Sequence, residues 1–360
     1  MNFLGSHGRR ARCLLAAWAL LSAGAALGAG KPAAEPPPAP PPLLLDGGRR
    51  LEYRRSFSSE REVKSKRSFW SKLVDFAIGA PEIHRMVRPF EVVTDSQGRI
   101  LVTDPGALLV HIFDFGRQKY RKLEGSGKEA FKSPIGIAVD GEDNIYVSDS
   151  ELGKIFVFDK RGKFRRYIGS VKDEGIFKRP TGLAIDAAAR RLYITDTLRD
   201  AVYIAALDGT ILGHFGKRGD GDGEFNYPTE VVIRNDELVV VDAMNFRVQI
   251  FDKEGKFRGK FGRVGAAMGQ MFRAKGLAVD SEGDLYVAEA FRDSVQVFNR
   301  SGELLYYFGQ RGTGAGEFQL PAGVYIDRQD TVYVVDSFNR RVQVFQYFPA
   351  GAKSANGGMR

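Results

Sequence analysis

The sequence predicts an all-β fold: six four-stranded blades set around a central channel, a six-bladed β-propeller. Three observations predict it. A unit recurs with a period in the range of solenoids and propellers, each unit contains four strand-like runs, and the last unit lacks the one strand that the start of the chain can supply.

The period rests on two landmarks. A residue that is Pro in five of six copies falls at Pro89, Pro134, Pro180, Pro228, Ala274 and Pro321, at spacings of 45 to 48 residues. An acid closing the second apolar run falls at Asp104, Asp149, Asp196, Asp242, Glu289 and Asp336, at spacings of 45 to 47. The second copy shows the strands. Gly136–Asp140 and Asn144–Ser148 are apolar runs joined by a polar turn, Lys154–Phe158 is a third, and Lys163–Ile168 is a fourth, half polar. Short runs rich in Val, Ile, Tyr and Phe, bounded by Gly and Asp, are strand signals. The loop Asp159-Lys160-Arg161-Gly162 joins the last two runs and recurs at Asp252–Gly255 and Asn299–Gly302. It suits a type I turn whose Gly takes the left-handed position. Apolar first runs belong next to the axis and half-polar fourth runs at the rim.

The final copy stops after its third strand. Val74, Phe76 and Ile78 alternate and are followed by Gly79, as Gly follows the other fourth strands. Ser71–Gly79 is therefore expected to close the ring as the outer strand of the last blade, removing an open sheet edge.

Pro-x-Gly-hydrophobic-Ala-hydrophobic-Asp, Tyr-Val-x-Asp and Asn-x-Arg-Val-Gln-hydrophobic-Phe together resemble the NHL repeat over roughly residues 71–348. The nearest matches are Asp242…Asn245-Phe246-Arg247-Val248-Gln249-Ile250-Phe251 and Asp336…Asn339-Arg340-Arg341-Val342-Gln343-Val344-Phe345. In the first three copies the Asn and Arg are missing. The resemblance is specific for fold and nearly silent on function, because the architecture hosts enzymes, sensors and adaptors.

Around the propeller, residues 1–30 read as a secretory signal peptide, with an uncleaved N-terminal anchor as the alternative. Arg9, Arg10 and Arg12 precede an uncharged stretch from Cys13 to Gly30. Residues 31–70 read as a linker, Pro-rich through Pro36–Pro42 and then dense in basic charge. Residues 349–360 read as a flexible tail. This layout predicts an exported chain, periplasmic or extracellular, touching a membrane only if its N-terminal segment stays uncleaved, and a monomer. The net charge of +9 divides as +7 over residues 1–70, 0 over 71–350 and +2 over 351–360. A neutral propeller behind an export signal predicts no nucleic-acid partner. Cys13 is the single cysteine, which leaves a mature chain without disulfide, thiolate metal site or cysteine nucleophile.

No catalytic constellation and no metal site is expected. The four His do not share equivalent positions, so the zinc channel that the resemblance to NHL-like amidating lyases implies is not reproduced. Gly219-Asp220-Gly221-Asp222-Gly223-Glu224 resembles a calcium loop, but its counterparts keep the glycines and lose the acids. The acids from Asp104 to Asp336 are expected to be architectural, accepting loop N–H groups or the Arg five residues on.

Candidate binding residues lie in two places. At the start of the first strands, blades 1 and 4 carry Glu91 and Glu230 where the other four carry Gly, and Lys275 enters at the same level. These are expected on opposite channel walls, too far apart for one proton-transfer pair. They leave a divalent cation as the single cofactor to consider, and otherwise none. The loops between second and third strands carry Phe246, Phe291, Phe338, Arg199, Arg292 and Arg340, residue types favoured as interface anchors. The function predicted is a non-catalytic binding or scaffold propeller of the cell envelope that engages a protein or other polymer through this loop face. The alternatives are a metal-dependent lyase or lactonase-type enzyme and, as the resemblance to animal NHL domains implies, a nucleic-acid-binding domain.

Overall fold

The structure, a computed structural model, describes residues 39–63, 83–172 and 174–351. Six antiparallel sheets surround a common channel. Their innermost strands are Val92–Thr94, Pro134–Val139, Pro180–Asp186, Pro228–Arg234, Ala274–Val279 and Pro321–Ile326. In blades 1 to 5 the four strands follow one another outward in chain order. The second strands end on the predicted acids, for example Glu237–Asp242 and Thr331–Asp336. The period-two pattern explains the layering. Second and third strands such as Ile145–Asp149 and Lys154–Phe158 are buried on both faces, whereas the outer strand Phe164–Ile168 is largely half-exposed.

The buried apolar side chains fall into six clusters, each lying between two successive sheets. One of them joins the last blade to the first, packing Val335, Val342 and Val344 against Val92, Val102 and Phe113. No sheet face is left open among the described residues, which is how a ring of individually marginal sheets becomes one domain.

The ring is closed by an N-terminal outer strand, as expected, but a different one. Arg50–Phe57 pairs antiparallel with Arg341–Phe348, from Arg50 opposite Phe348 to Phe57 opposite Val342. Leu43–Leu44 adds a short fifth strand outside it. Ser71–Gly79 lies outside the described residues. The residues preceding 71 are thus not all linker: Leu43–Leu44 and Arg50–Phe57 belong to the last blade. The cause lies in Arg50-Leu51-Glu52-Tyr53-Arg54-Arg55-Ser56-Phe57. Leu51 and Phe57 are buried, Tyr53 meets Phe345 edge-on with ring centroids 5.6 Å apart, and a register shift lies between Tyr53 and Arg55. The arginines are not a solvated tether. Arg50 stacks 3.7 Å above the Phe348 ring and Arg55 3.6 Å above Phe115. Burying Phe57 alone is worth about 1.5–3 kcal/mol. After this strand the chain bridges Ser59 to Arg85 and enters blade 1.

Candidate functional site

The innermost strands run from one face of the disk to the other, so each blade delivers residues to the channel in the same order. In blade 1 that order is Phe90, Glu91, Val92; in blade 4 it is Thr229, Glu230, Val231. The glutamates meet. Burial pushes both carboxyls above their ordinary range; the charge of Glu91 raises Glu230 further, whereas the contact with Glu230 lowers Glu91. This corrects the expectation of opposite, separated walls. The glycines of the neighbouring blades explain it: a Cβ on Gly323 would fall 2.5 Å from Glu91 Oε1, and one on Gly182 would fall 2.5 Å from Glu230 Oε1. Missing side chains in four blades give the two long ones room to reach the axis. Each carboxylate oxygen also accepts from the next backbone N–H, Val92 to Glu91 and Val231 to Glu230, both at 3.1 Å.

The pair divides the channel. On one side lies a chamber of about 250 Å3 walled by Val93, Ile137, Leu183, Val232 and their neighbours. On the other lies a smaller pocket of about 230 Å3 at the mouth, lined by Phe90, Ile135, Arg179, Thr181, Thr197, Tyr227, Thr229 and Lys275. Lys275 therefore stands above the glutamates rather than beside them. Its ammonium lies 5.7 Å from the Phe90 ring centroid. Burial first, then the charges of Arg273 and Arg88, lower its pKa to about 8.

This mouth opens on the face made by the second-to-third strand loops and by the residues that lead into each innermost strand. Phe291 and Phe338 are exposed there, and Phe246 is half-buried. Phe246 lies tilted against Phe272 with ring centroids 6.0 Å apart, and Phe272 lies 4.7 Å from Phe291, so three blade-4 and blade-5 aromatics form one ladder. Phe338 stands apart. Arg199 pairs with Asp196 at 3.5 Å and donates to Ile176 O, Arg292 donates to Ala266 O, and Arg340 is exposed. Sequence reasoning missed Phe272 and three cations, Arg88, Arg179 and Arg273. All precede an innermost strand, and the signal was available: the position just before the landmark Pro or Ala is Arg in three of six copies. Among the described residues, Arg88, Arg179, Arg273, Lys275 and Arg340 form no ion pair.

The acids at the ends of the second strands are architectural, as their repetition predicted. Asp242 accepts from Asn226 N at 2.7 Å, Arg247 Nε at 2.8 Å and Gln249 Nε2 at 3.1 Å. Asp336 does the same with Gln319, Arg341 and Gln343. Arg247 continues to the backbone oxygens of Asp220, Gly221 and Glu224, so the glycine-rich loop is tied down by an arginine. In blade 1, where the Arg and Gln are missing, His111 takes the place of Gln and bonds Asp104 at 3.2 Å and Tyr120 Oη at 2.7 Å. No three His, Cys, Asp or Glu side chains converge on a metal-sized site among the described residues.

The opposite face is acidic, and most of its carboxylate oxygens are hydrogen-bonded, Asp280 Oδ2 being a buried exception. Asp95, Asp140, Asp280 and Asp327 each accept backbone N–H groups of their own turn. Asp143 and Asp330 reach back to Ser96 and Ser281 of the preceding blade, each with an N–H bond at 2.9 Å and a hydroxyl bond at 2.7 Å.

A family model described as a 6-bladed beta-propeller (DUF5128) matches residues 276–348. The RING finger protein nhl-1 of Caenorhabditis elegans is 46% identical over 65 residues, 18% of this chain and 7% of that protein. The peptidylglycine alpha-amidating monooxygenase of Rattus norvegicus is 25% identical over 147 residues, 37% of this chain and 15% of the relative. The chain thus spans a small part of the length of these curated relatives. Among solved structures, a streptogramin B lyase aligns with a TM-score of 0.54 at 14% identity, over 72% of this chain and 93% of the other. An auxiliary nutrient binding protein from Bacteroides thetaiotaomicron aligns with a TM-score of 0.57 at 12% identity, over 73% and 69%. At such identities the likeness is one of fold.

Proposed function

We propose that this six-bladed propeller is a non-catalytic binding module that receives an acidic protein segment on its loop face. One observation carries the reading: exposed cations without carboxylate partners, Arg88, Arg179, Arg273 and Arg340, stand beside the exposed aromatics Phe272, Phe291 and Phe338. Arg and aromatic side chains are the residue types that dominate interface energetics. The Phe ladder supplies apolar area, and the cations supply orientation and on-rate for a negatively charged partner. The similarity to several NHL-family proteins is consistent with a module of this kind and selects no partner. An exported location belongs to the same proposal, supported by the basic-then-uncharged order of residues 1–30.

Titration of a fluorescent Glu- and Phe-containing peptide into the purified chain tests the reading. Binding that weakens steeply with added salt, and that is lost when Phe272, Phe291 and Phe338 are replaced by Ser, is the expected result. Tighter binding of single-stranded RNA than of the peptide would replace the protein partner with a nucleic acid. The enzyme reading has a cheap discriminator of its own. Lyase or lactonase chemistry of the metal-dependent type needs a bound ion, so stoichiometric divalent metal in the natural protein would overturn the non-catalytic reading.

A further inference from the structure

We infer that the pocket at the channel mouth is a receptor for one carboxylate, presented on a short aliphatic stem by the acidic segment just proposed. The inference rests on that reading for its macromolecular source, but the pocket's chemistry stands by itself.

The donors come first. Lys275 has no acceptor in the structure, and neither has the buried Thr229 hydroxyl. Arg179 and Tyr227 line the same space without a side-chain partner of their own. The remaining hydroxyls are committed: Thr197 donates to Pro228 O at 2.8 Å, and Thr181 sits between Thr195 and Thr197 at 2.9 Å from each. A lysine ammonium and an arginine guanidinium offer donors only, so the group that satisfies them must be an acceptor. A carboxylate is acceptor-only and carries the charge that makes such bonds strong.

Size and surroundings narrow the class. About 230 Å3 is less than a drug-sized or cofactor site needs, and fits a side chain. Phe90 and Ile135 give the pocket two apolar walls, which suit methylene groups behind the anion. Little cancels the positive charge, because the next residues along these strands, Glu91 and Glu230, line the other chamber and hold their protons above the ordinary carboxyl range. The charged groups around Lys275 are Arg88 at the entrance to blade 1, Arg179 at the entrance to blade 3 and Arg273 just before its own strand, and all are cationic. Burial beside these charges is what lowers the Lys275 pKa to about 8. The site is therefore an unpaired, partly desolvated amine that gains from any anion entering.

The test uses the full chain and two probes, glutarate and the Glu- and Phe-containing peptide, followed by calorimetry. Glutarate is expected to bind at pH 7, to lose at least tenfold in affinity in Lys275→Met and about threefold in Thr229→Val, and to recover in Lys275→Arg. Raising the pH from 7 to 9 is expected to weaken it in the natural chain, as the amine loses its proton while Glu91 ionises, and to weaken it less in Lys275→Arg, where only the glutamates titrate. Glutarate affinity that is absent, or equal in Lys275→Met, overturns the pocket. If the peptide still binds in that case, the loop-face reading survives alone. Glutarate binding without peptide binding keeps the pocket and removes its protein source. Equal melting temperatures of the variants show that folding is not what changed.

Discussion

The two faces of the disk carry opposite charges, and the charges are used differently. On the acidic face, carboxylates cap their own turns and fasten one blade to the next, as Asp143 fastens Ser96. On the loop face, buried acids such as Asp242 do that work, and the cations around the channel mouth are left over. The same propeller that sums to zero charge over residues 71–350 is therefore strongly polar along its axis. The lesson is that net charge tests for a field only when the charges are equally free. Those already saturated by hydrogen bonds hold the fold, and the unsaturated ones remain for a ligand.

The comparison breaks if charges on the acidic face prove dispensable. Asp95 pairs with the buried Arg99 and also accepts Arg99 N at 3.0 Å. Asp95→Ala strands that guanidinium and is expected to cost about 3–5 kcal/mol in denaturant titration. Peptide affinity on the far face should not move. A loss under 1 kcal/mol would mean that the acids there are decoration.

The blade-to-blade carboxylates come next. Asp143→Ala and Asp330→Ala each remove two bonds to a serine, and each is expected to lower stability by about 1.5–3 kcal/mol. The two sites lie in different blade pairs, so the losses should add in the double variant.

Between the faces sits the glutamate pair, whose effect is read in pH. Both carboxyls have pKa values raised above the ordinary 4.5, Glu91 to about 8. The unfolded chain then ionises first. The stability the pair contributes is complete below about 4.5 and is lost as pH rises through about 8. Melting temperature should fall between pH 5 and pH 8, and Glu91→Gln with Glu230→Gln should flatten that slope. A slope unchanged by the double variant would show that the two side chains do not titrate together.

The smallest effect on stability is predicted for the loop face. Replacing Arg88, Arg179 and Arg273 by Ser removes three exposed cations with no ion pairs, and each change should stay within about 0.5 kcal/mol. Peptide affinity should nonetheless drop by more than tenfold, with a shallower salt dependence. That separation of binding from folding is the property the acidic face lacks.

Much of this was legible from spacing alone. Two landmarks with one period specify the blades, and the acid that ends each second strand declares its structural role by recurring. The closing strand was misplaced for a physical reason. Val74, Phe76 and Ile78 alternate cleanly, whereas Arg50–Phe57 hides its alternation behind three arginines and a register shift, and its charges sit on aromatic rings instead of in water. The glutamate pair was missed because ring position was read as distance. What sets the gap is the backbone approach that Gly182 and Gly323 allow. The cationic mouth was missed because summed charge conceals which groups are already bonded.

The joint between Arg50–Phe57 and Arg341–Phe348 has a consequence for synthesis. The first strand of the propeller to leave the ribosome is the last to find its neighbour. Five blades can be assembled during translation, while an amphipathic ribbon near the amino terminus waits for the final residues. Until then a hydrophobic edge lies bare at each end of the nascent arc. Slow completion and a need for protection during that interval are built into the order in which the strands are made.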